Sequence, residues 1–294
     1  MPVDNWDEIR TAFHVARLGT VSGAAEALGV HHATVIRHVD AIEARLGTKL
    51  FQRHARGYTP TESGQDLFRV AATTEDQFTQ LVGRIKGQGA GVTGELLVTS
   101  LPVLSQRVAP ELVEFMDEHP EVNVKFLSDE RVYRLEYGEA HVAVRAGNRP
   151  EQPDNVVQPY FTMEIGLYAR KDYFERFGPL EPGKWEGHRF VSTQNEASRA
   201  PFYRWMAENV PHALVRYRAS RDRTVIDGVE AGAGIGFLPC WMADDNPDMV
   251  QMMAPLPEWS VPVWLVTHVD LHRTAKVQTL VHFLRDRARA AVAA

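Results

Sequence analysis

The chain has 294 residues, a formal net charge of −6 and one cysteine, Cys240. This length allows one large or two medium domains, and a lone cysteine excludes an internal disulfide and a cysteine-based zinc site. The acidic total excludes a uniformly basic protein, although residues 31–58 hold five cations against two acids. Because the sequence shows neither a signal peptide nor a long apolar run, we expect a cytoplasmic protein with no membrane segment.

The first 30 residues predict two short helices. After Asn5, which with Glu8 resembles a capping box, apolar residues recur at helical spacing as far as Gly19. Ser22 is expected to cap a second helix, and Gly29 is expected to end it because glycine readily adopts a positive φ.

A third helix is predicted from His31, a residue that caps a helix less well than Ser or Asp. The second and third helices meet at a tight turn, which is the pattern of a helix-turn-helix. The residues expected to face away from the apolar stripe and toward a DNA major groove are Ala33, Thr34, Arg37, His38 and Ala41. Ser22 and His32 complete the candidate DNA contacts of these helices. Ordinary all-α domains also contain such helix pairs, so the pattern alone leaves that alternative open.

Residues 50–53 and 58–60 predict a two-stranded ribbon that closes near Arg56 and Gly57. A ribbon in this place is a wing, and Arg53, His54 and Arg56 would lie beside phosphates, which supplies affinity without reading sequence. The alternative is an ordinary solvated basic hairpin.

Thr61 is suited to cap a long helix that carries an apolar heptad seam. The seam consists of Leu67, Ala71, Thr74, Phe78, Leu81 and Ile85. A narrow seam on one long helix predicts a homodimer, and two-fold symmetry suits paired DNA half-sites. Packing of this helix on its own domain is the alternative. Four glycines in residues 87–95 then predict a flexible hinge.

From Leu96 onward, strands and helices alternate, which predicts an α/β domain with a mainly parallel sheet. Strands are expected at residues 96–100, 122–127, 141–145, 164–170, 188–192, 214–218, 235–239 and 261–266, and helices at 103–119, 131–137, 172–177, 201–208, 224–231 and 274–291. We expect two lobes around a cleft, the first from residues 95–165 and 268–294 and the second from residues 166–267.

The order and spacing of these motifs resemble those of LysR-type transcriptional regulators. FHVARLGT, AAEALGV, TVIRHVDAIEARLGTKLFQR and GYTPTESG resemble the N-terminal domain of that family. LLVTS, HVAVRAG and VEAGAGIGFLP resemble its effector-binding domain, which is similar to periplasmic binding proteins. The resemblance implies an α plus α/β fold. Its expected parts are a winged helix-turn-helix domain (residues 1–60), a linker and dimerisation helix (61–86), a hinge (87–94) and a two-lobed α/β effector-binding domain (95–294).

The resemblance implies that Thr34, Arg37 and His38 approach bases or phosphates, and that Arg53 and Arg56 serve the wing. The sequence departs from the family where the third helix begins. The family commonly has a Ser-Gln pair there and Ser before the arginine, whereas this chain has His31, His32 and Ile36. The departures leave the expected fold intact and the operator sequence open.

In the resembling family, the ligand touches turns at the strand ends and the first turns of the second lobe. Those positions here are Ser100, Leu101, Pro102, Val103, Ser128, Asp129, Arg145, Thr193 and Asn195. Arg145 would suit a small carboxylate, although Asp129 could instead pair with it as scaffolding of the lobe. Because Pro102 and Val103 make the first turn less polar, the ligand is expected to be partly apolar.

Together these observations predict a sequence-specific regulator that binds double-stranded DNA and a small anionic or partly apolar effector, with no cofactor or metal. The seam supports a homodimer; the resemblance implies a homotetramer, and RNA polymerase is a candidate partner. An enzyme fused to a DNA-binding domain is one alternative, but no HExxH, GxSxG or P-loop pattern occurs. A ligand carrier is another, but the winged domain in front argues against it.

Overall fold

The computed structural model describes residues 5–55, 57–85 and 92–293. Its N-terminal elements are α1 (Trp6–Leu18), α2 (Val21–Leu28), α3 (His32–Leu46), β1 (Phe51–His54), β2 (Gly57–Pro60) and α4 (Glu62–Ile85). The predicted winged helix-turn-helix and long linker helix are therefore confirmed. In these described ranges, no helix combines the length and apolar character needed to cross a membrane.

Short polar side chains begin α1 and α2, and glycines end these two helices. Asn5 accepts a hydrogen bond from the main-chain N–H of Asp7 (3.1 Å) and donates to the Glu8 carboxylate (2.9 Å). The prediction that Ser22 caps α2 is wrong, because Thr20 occupies the cap and accepts from the N–H of Gly23 (3.1 Å). Gly29 ends α2 with a φ of 65°, as predicted.

A compact apolar core joins the three short helices to the wing. Its fully buried members come from all of these elements: Ala12, Val15, Val21, Ala24, Ala25, Val35, Val39, Ile42, Leu50 and Phe51. The wing packs on the α1–α2 turn, since the N–H of Tyr58 donates to the carbonyl of Gly19 (2.8 Å). Only glycine fits at Gly57, because a Cβ there would lie 2.3 Å from that same carbonyl oxygen.

The C-terminal domain begins with β3 (Gly94–Ser100), α5 (Pro102–Glu118), β4 (Val122–Ser128), β5 (Val142–Ala146), β6 (Asn155–Met163), β7 (Ile165–Arg170) and α6 (Lys171–Phe177). It continues with β8 (Phe190–Thr193), α7 (Pro201–Asn209), β9 (Val215–Ala219), α8 (Asp222–Glu230), β10 (Gly236–Pro239) and α9 (Cys240–Asp244). It ends with β11 (Met249–Met253), β12 (Val261–His268), α10 (Val269–His272) and α11 (Ala275–Ala293).

One mixed sheet forms the first lobe of this domain, and two smaller sheets lie in the second lobe. The first sheet has the order β4-β3-β5-β12-β6, in which β4, β3 and β5 are parallel while β12 runs antiparallel to β5 and β6. The second lobe contains the antiparallel set β10-β7-β11 and the parallel pair β8-β9. The prediction of a mainly parallel sheet is wrong, because the chain leaves the first lobe and returns through β12 in the opposite direction.

Two further boundaries differ from the sequence prediction. Residues 261–267 belong to β12 and hence to the first sheet, although they were expected in the second lobe. The helix expected at residues 131–137 is reduced to a 3-10 turn, Leu135–Tyr137. Side chains take the place of helical partners before that turn, since Asp129 accepts from the N–H of Arg131 (3.3 Å) and Glu139 accepts from that of Arg134 (2.9 Å).

Four elements were not predicted, namely β6, α9, β11 and α10. The longest of them, β6, contains Pro159, which weakens a strand prediction. Proline is tolerated here because β6 lies at the edge of its sheet, where one side of the strand has no ladder to complete.

Candidate DNA-binding face and effector cleft

The third helix buries one face and exposes the opposite one. Val35, Val39 and Ile42 pack into the core. Arg37 projects from the opposite face, is exposed, and forms no side-chain hydrogen bond or ion pair with another described residue. Ala33 shares the exposed face, and Thr34 lies half-buried on its flank. This face therefore offers a free guanidinium between small side chains, an arrangement that suits close approach to base edges.

The other DNA contacts expected from the two helices differ in accessibility. His38 was expected to face the groove, but its Nδ1 lies 2.9 Å from the Thr11 hydroxyl, so its ring is held against α1. Ser22 and His32 are exposed, on α2 and at the first position of α3. His31 occupies the α3 cap position without a side-chain hydrogen bond, as its poor capping propensity predicts.

A buried carboxylate fixes the wing to the third helix. Glu43 accepts hydrogen bonds from the main-chain N–H groups of Leu50 (2.9 Å) and Phe51 (3.2 Å), and from the ammonium of Lys49 (2.7 Å). Burial by itself would raise the pKa of Glu43, but these hydrogen bonds and the Arg53 charge outweigh it and lower the pKa. The periodicity of α3 did not predict this role of Glu43, because a glutamate at that position is expected to be exposed to solvent.

Arg53 is engaged within the protein and does not extend freely from the wing. Its Nη2 lies 2.6 Å from Asp40 and 2.9 Å from Glu43, both on α3, and its guanidinium stacks 5.3 Å from the ring centre of Tyr58. The predicted contact of Arg53 with phosphate would have to compete with two carboxylates. His54 is exposed on β1, and Arg56 lies outside the described residues.

The residues of the predicted dimerisation seam have different surroundings at different positions along α4. Leu67 packs partly against the core of its own domain, which matches the alternative interpretation at that end. Further along, Ala71, Thr74 and Phe78 line a groove of about 540 Å³ with α1. Phe78 remains 54% exposed and meets Trp6, itself 61% exposed, edge to face at 6.3 Å. The side chains of Leu81 and Ile85 lie outside the part of the chain that the structure describes.

The predicted effector residues fall at three separate places. Ser100, Leu101, Asp129 and Arg145 line a hollow of about 130 Å³ in the first lobe. Thr193 and Asn195 line one of about 320 Å³ in the second lobe. Leu101 and Val103 also line a cleft of about 530 Å³ between the lobes. Pro102 begins α5, and Ser128, the last residue of β4, pairs with Ser100 in the sheet.

Arg145 has a main-chain partner that neither interpretation anticipated. It donates to the carbonyl of Tyr133 (2.9 Å), in the loop before the 3-10 turn. Asp129, the expected scaffolding partner, instead accepts from the N–H of Arg131. Burial lowers the pKa of Arg145, and the nearby charge of Glu136 opposes that shift. Its contact with a ligand stays a prediction, and its contact with the loop is a structural role.

The interlobe cleft contains charged residues that the sequence prediction missed. Leu101, Val103 and Met163 of the first lobe form an apolar side, with Phe202 of α7 beside them. The charged lining comes from the second lobe and consists of Arg199, Arg204, Asp222 and Glu258. The hydroxyl of Tyr203 donates to Asp222 (3.1 Å). Arg199 and Arg204 flank Pro201, the first residue of α7, and a proline there indicates a helix start and not a cleft.

Family comparisons cover nearly the whole chain. Residues 6–65 match the model of the bacterial regulatory helix-turn-helix protein, lysR family, and residues 89–289 match that of the LysR substrate binding domain. The activator IlvY of Salmonella typhimurium is 31% identical over 83% of this chain and 85% of its own length. A transcriptional repressor of Pseudomonas aeruginosa is 24% identical over 97% of this chain and 92% of its own length.

Solved structures show the same fold. The chain aligns with ArgP of Mycobacterium tuberculosis at a TM-score of 0.73 and 17% identity, over 98% of each chain. CrgA of Neisseria meningitidis aligns at 0.59 and 20% identity, over 97% of this chain and 99% of its own. The proteins of this family are transcriptional regulators and not enzymes; they bind DNA and small-molecule effectors and form oligomers. The winged domain, the linker helix and the two-lobed domain thus identify the chain as a LysR-type transcriptional regulator with an effector-binding domain.

Proposed function

We propose that this regulator reads its operator as a dimer, with the exposed face of α3 in the major groove of each half-site. The observation that carries this proposal is the free guanidinium of Arg37 at the centre of that face. Arg37 can make a bidentate contact to guanine, with Ala33 and Thr34 close to the bases and Ser22 and His32 close to the backbone. His38 and Arg53 contribute chiefly by holding α3 against α1 and the wing.

The dimer forms through the exposed part of the α4 seam, around Ala71, Thr74 and Phe78. Two dimers assemble into a tetramer, and the assembly acts on transcription through DNA bending or contact with RNA polymerase. The effector binds between the two lobes, where apolar and charged groups converge. It acts by favouring one arrangement of the oligomer, since a ligand shifts only an equilibrium whose two states it binds differently.

A mobility-shift titration of the full chain against the DNA upstream of its own gene tests the proposal. We expect retarded complexes at low salt that survive an excess of random competitor DNA. Arg37→Ala should weaken this preference, while retaining binding to random DNA. Absence of any complex at low salt, or equal affinity of the unmodified protein for operator and random DNA, contradicts the proposal.

A further inference from the structure

We infer that the effector of the interlobe cleft is a small zwitterion with an apolar side chain, of the class of the apolar α-amino acids. This inference rests on the proposed role of the cleft as the effector site. The cleft has a volume of about 530 Å³, within the range of roughly 300 to 1,000 Å³ usual for small-molecule sites.

The two lobes line the cleft with different chemistry. The first lobe supplies the apolar residues Leu101, Val103, Met163 and Val261, and Phe202 of the second lobe extends this apolar surface. All four charged lining residues come from the second lobe, two arginines and two acids. A ligand that satisfies both lobes therefore carries charge at one end and an apolar group at the other.

The positive charges of the cleft have no side-chain partner among the residues that the structure describes. Neither Arg199 nor Arg204 forms an ion pair or side-chain hydrogen bond with another residue of the described ranges. Arg204 lies in the first turn of α7, whose cap residue, Ala200, offers no side-chain hydrogen bond. Two unpaired guanidinium groups beside a cavity are suited to a carboxylate, which accepts their planar N–H donors.

The negative charges of the cleft argue against a simple anion. Asp222 accepts one hydrogen bond, from Tyr203 on its Oδ1, and Glu258 forms no ion pair with another described residue. A ligand with only a carboxylate would bring a third negative group to a cavity that these two already line. A ligand that also carries an ammonium provides them with a counter-charge, and the net charge of the lining, two positive and two negative, matches a neutral zwitterion.

Calorimetric titration of the full-length protein tests the inference. The probes are L-leucine, L-methionine and L-phenylalanine, each compared with its N-acetyl derivative, which lacks the ammonium, and its decarboxylated amine, which lacks the carboxylate. We expect at least one amino acid to bind about tenfold or more tightly than both of its derivatives, because each removes a charge-assisted contact. Equal or tighter binding of an N-acetyl derivative or an amine overturns the inference, and so does the absence of binding by all three amino acids.

Variants test whether the charged side chains of the cleft bind the amino acid. Arg199→Gln and Arg204→Gln break no side-chain hydrogen bond or ion pair among the described residues, and Asp222→Asn keeps an acceptor for Tyr203. We expect Arg204→Gln and Asp222→Asn each to weaken amino-acid binding about tenfold or more. Glu208→Gln, an exposed position on α7 away from the cleft lining, should leave it unchanged. Unaltered binding by Arg199→Gln, Arg204→Gln and Asp222→Asn overturns the assignment.

A parallel mobility shift separates this inference from the proposed function. If the protein retains its preference for operator DNA while no amino acid binds, the inferred ligand class is wrong, but the proposed function as a DNA-binding regulator is unaffected. If operator preference is itself missing, the proposed function fails whatever the calorimetry shows.

Discussion

The carboxylate of Glu43 on α3 lies 2.9 Å from Nη2 of Arg53 on the wing, and its side chain is only 2% exposed. This ion pair, together with the main-chain N–H groups of Leu50 and Phe51, makes the helix and the wing one rigid unit. The orientation of the wing relative to α3 is therefore set by a buried residue.

Replacing Glu43 with glutamine should destabilise the DNA-binding domain. The amide keeps an acceptor for the N–H groups, but its own N–H₂ opposes Lys49 and Arg53, so charge-assisted hydrogen bonds are lost. We expect the free energy of unfolding to fall by roughly 1 to 3 kcal/mol in urea denaturation. Glu26→Gln, exposed on α2, is the matched control and should change little. The loss should shrink below pH 4.5, because the lowered pKa makes this stabilisation disappear as acid protonates the folded carboxylate.

Variants of Arg37 and Arg53 should distinguish a residue that contacts DNA bases from one that stabilises the DNA-binding domain. Arg37→Ala removes an unpaired, exposed side chain, so we expect unchanged stability and a loss of about 1 to 3 kcal/mol in discrimination at one base pair. Arg53→Ala should lower the unfolding free energy of the domain, since it leaves Asp40 and Glu43 without their shared partner. Denaturation and competition mobility shifts measure the two effects, and a destabilised Arg37→Ala protein would contradict the separation.

Phe78 should control assembly. Placing a carboxylate there by Phe78→Asp puts a charge into the exposed part of the seam, which is costly to bury. We expect the dissociation constant of the dimer, measured by sedimentation, to be at least about tenfold higher for Phe78→Asp than for the unmodified chain. Gln65→Glu, exposed near the start of the same helix, is the control. An unchanged dimer in Phe78→Asp would place the interface elsewhere.

Arg145 should stabilise the loop that precedes the 3-10 turn. Arg145→Gln loses the charged donor to the Tyr133 carbonyl, so we expect a decrease of about 1 to 3 kcal/mol in the unfolding free energy and faster amide exchange at residues 131–134. Arg149→Gln, exposed beyond the same strand, should show neither change. Normal stability and exchange in Arg145→Gln would rule out the scaffolding role.

His141 should make the effector-binding domain sensitive to acid. Its Nδ1 accepts from the N–H of Leu97 (2.8 Å), and burial, with the charge of Lys276, lowers its pKa from 6.5 to about 3. Between these values the unfolded imidazole binds a proton that the folded one does not, so stability falls as the pH decreases from 6.5 towards 3. His141→Gln should flatten this part of the stability profile, whereas His212→Gln, an exposed histidine, should not. Identical profiles would refute the assignment.

The sequence by itself determined the order of most of the elements, because periodicity, caps and turns are local properties of the chain. The apolar stripe of α3, the glycine that ends α2, and the alternation after Leu96 were sufficient for the winged domain, the linker helix and a two-lobed α/β domain. The exposure of Arg37 could be predicted from the apolar stripe on the opposite face of α3.

Only the tertiary structure decided which charged groups are free and which are paired. Glu43 and Arg53 meet because the chain turns back at Gly47, and β12 joins the first sheet because the chain returns from the second lobe. The cleft brings Leu101 close to Arg204 and Asp222, residues about a hundred positions apart, whose proximity no local pattern encodes. Pairing, burial and cavity lining depend on such distant contacts, and the chemistry of the interlobe cleft therefore emerged from the fold.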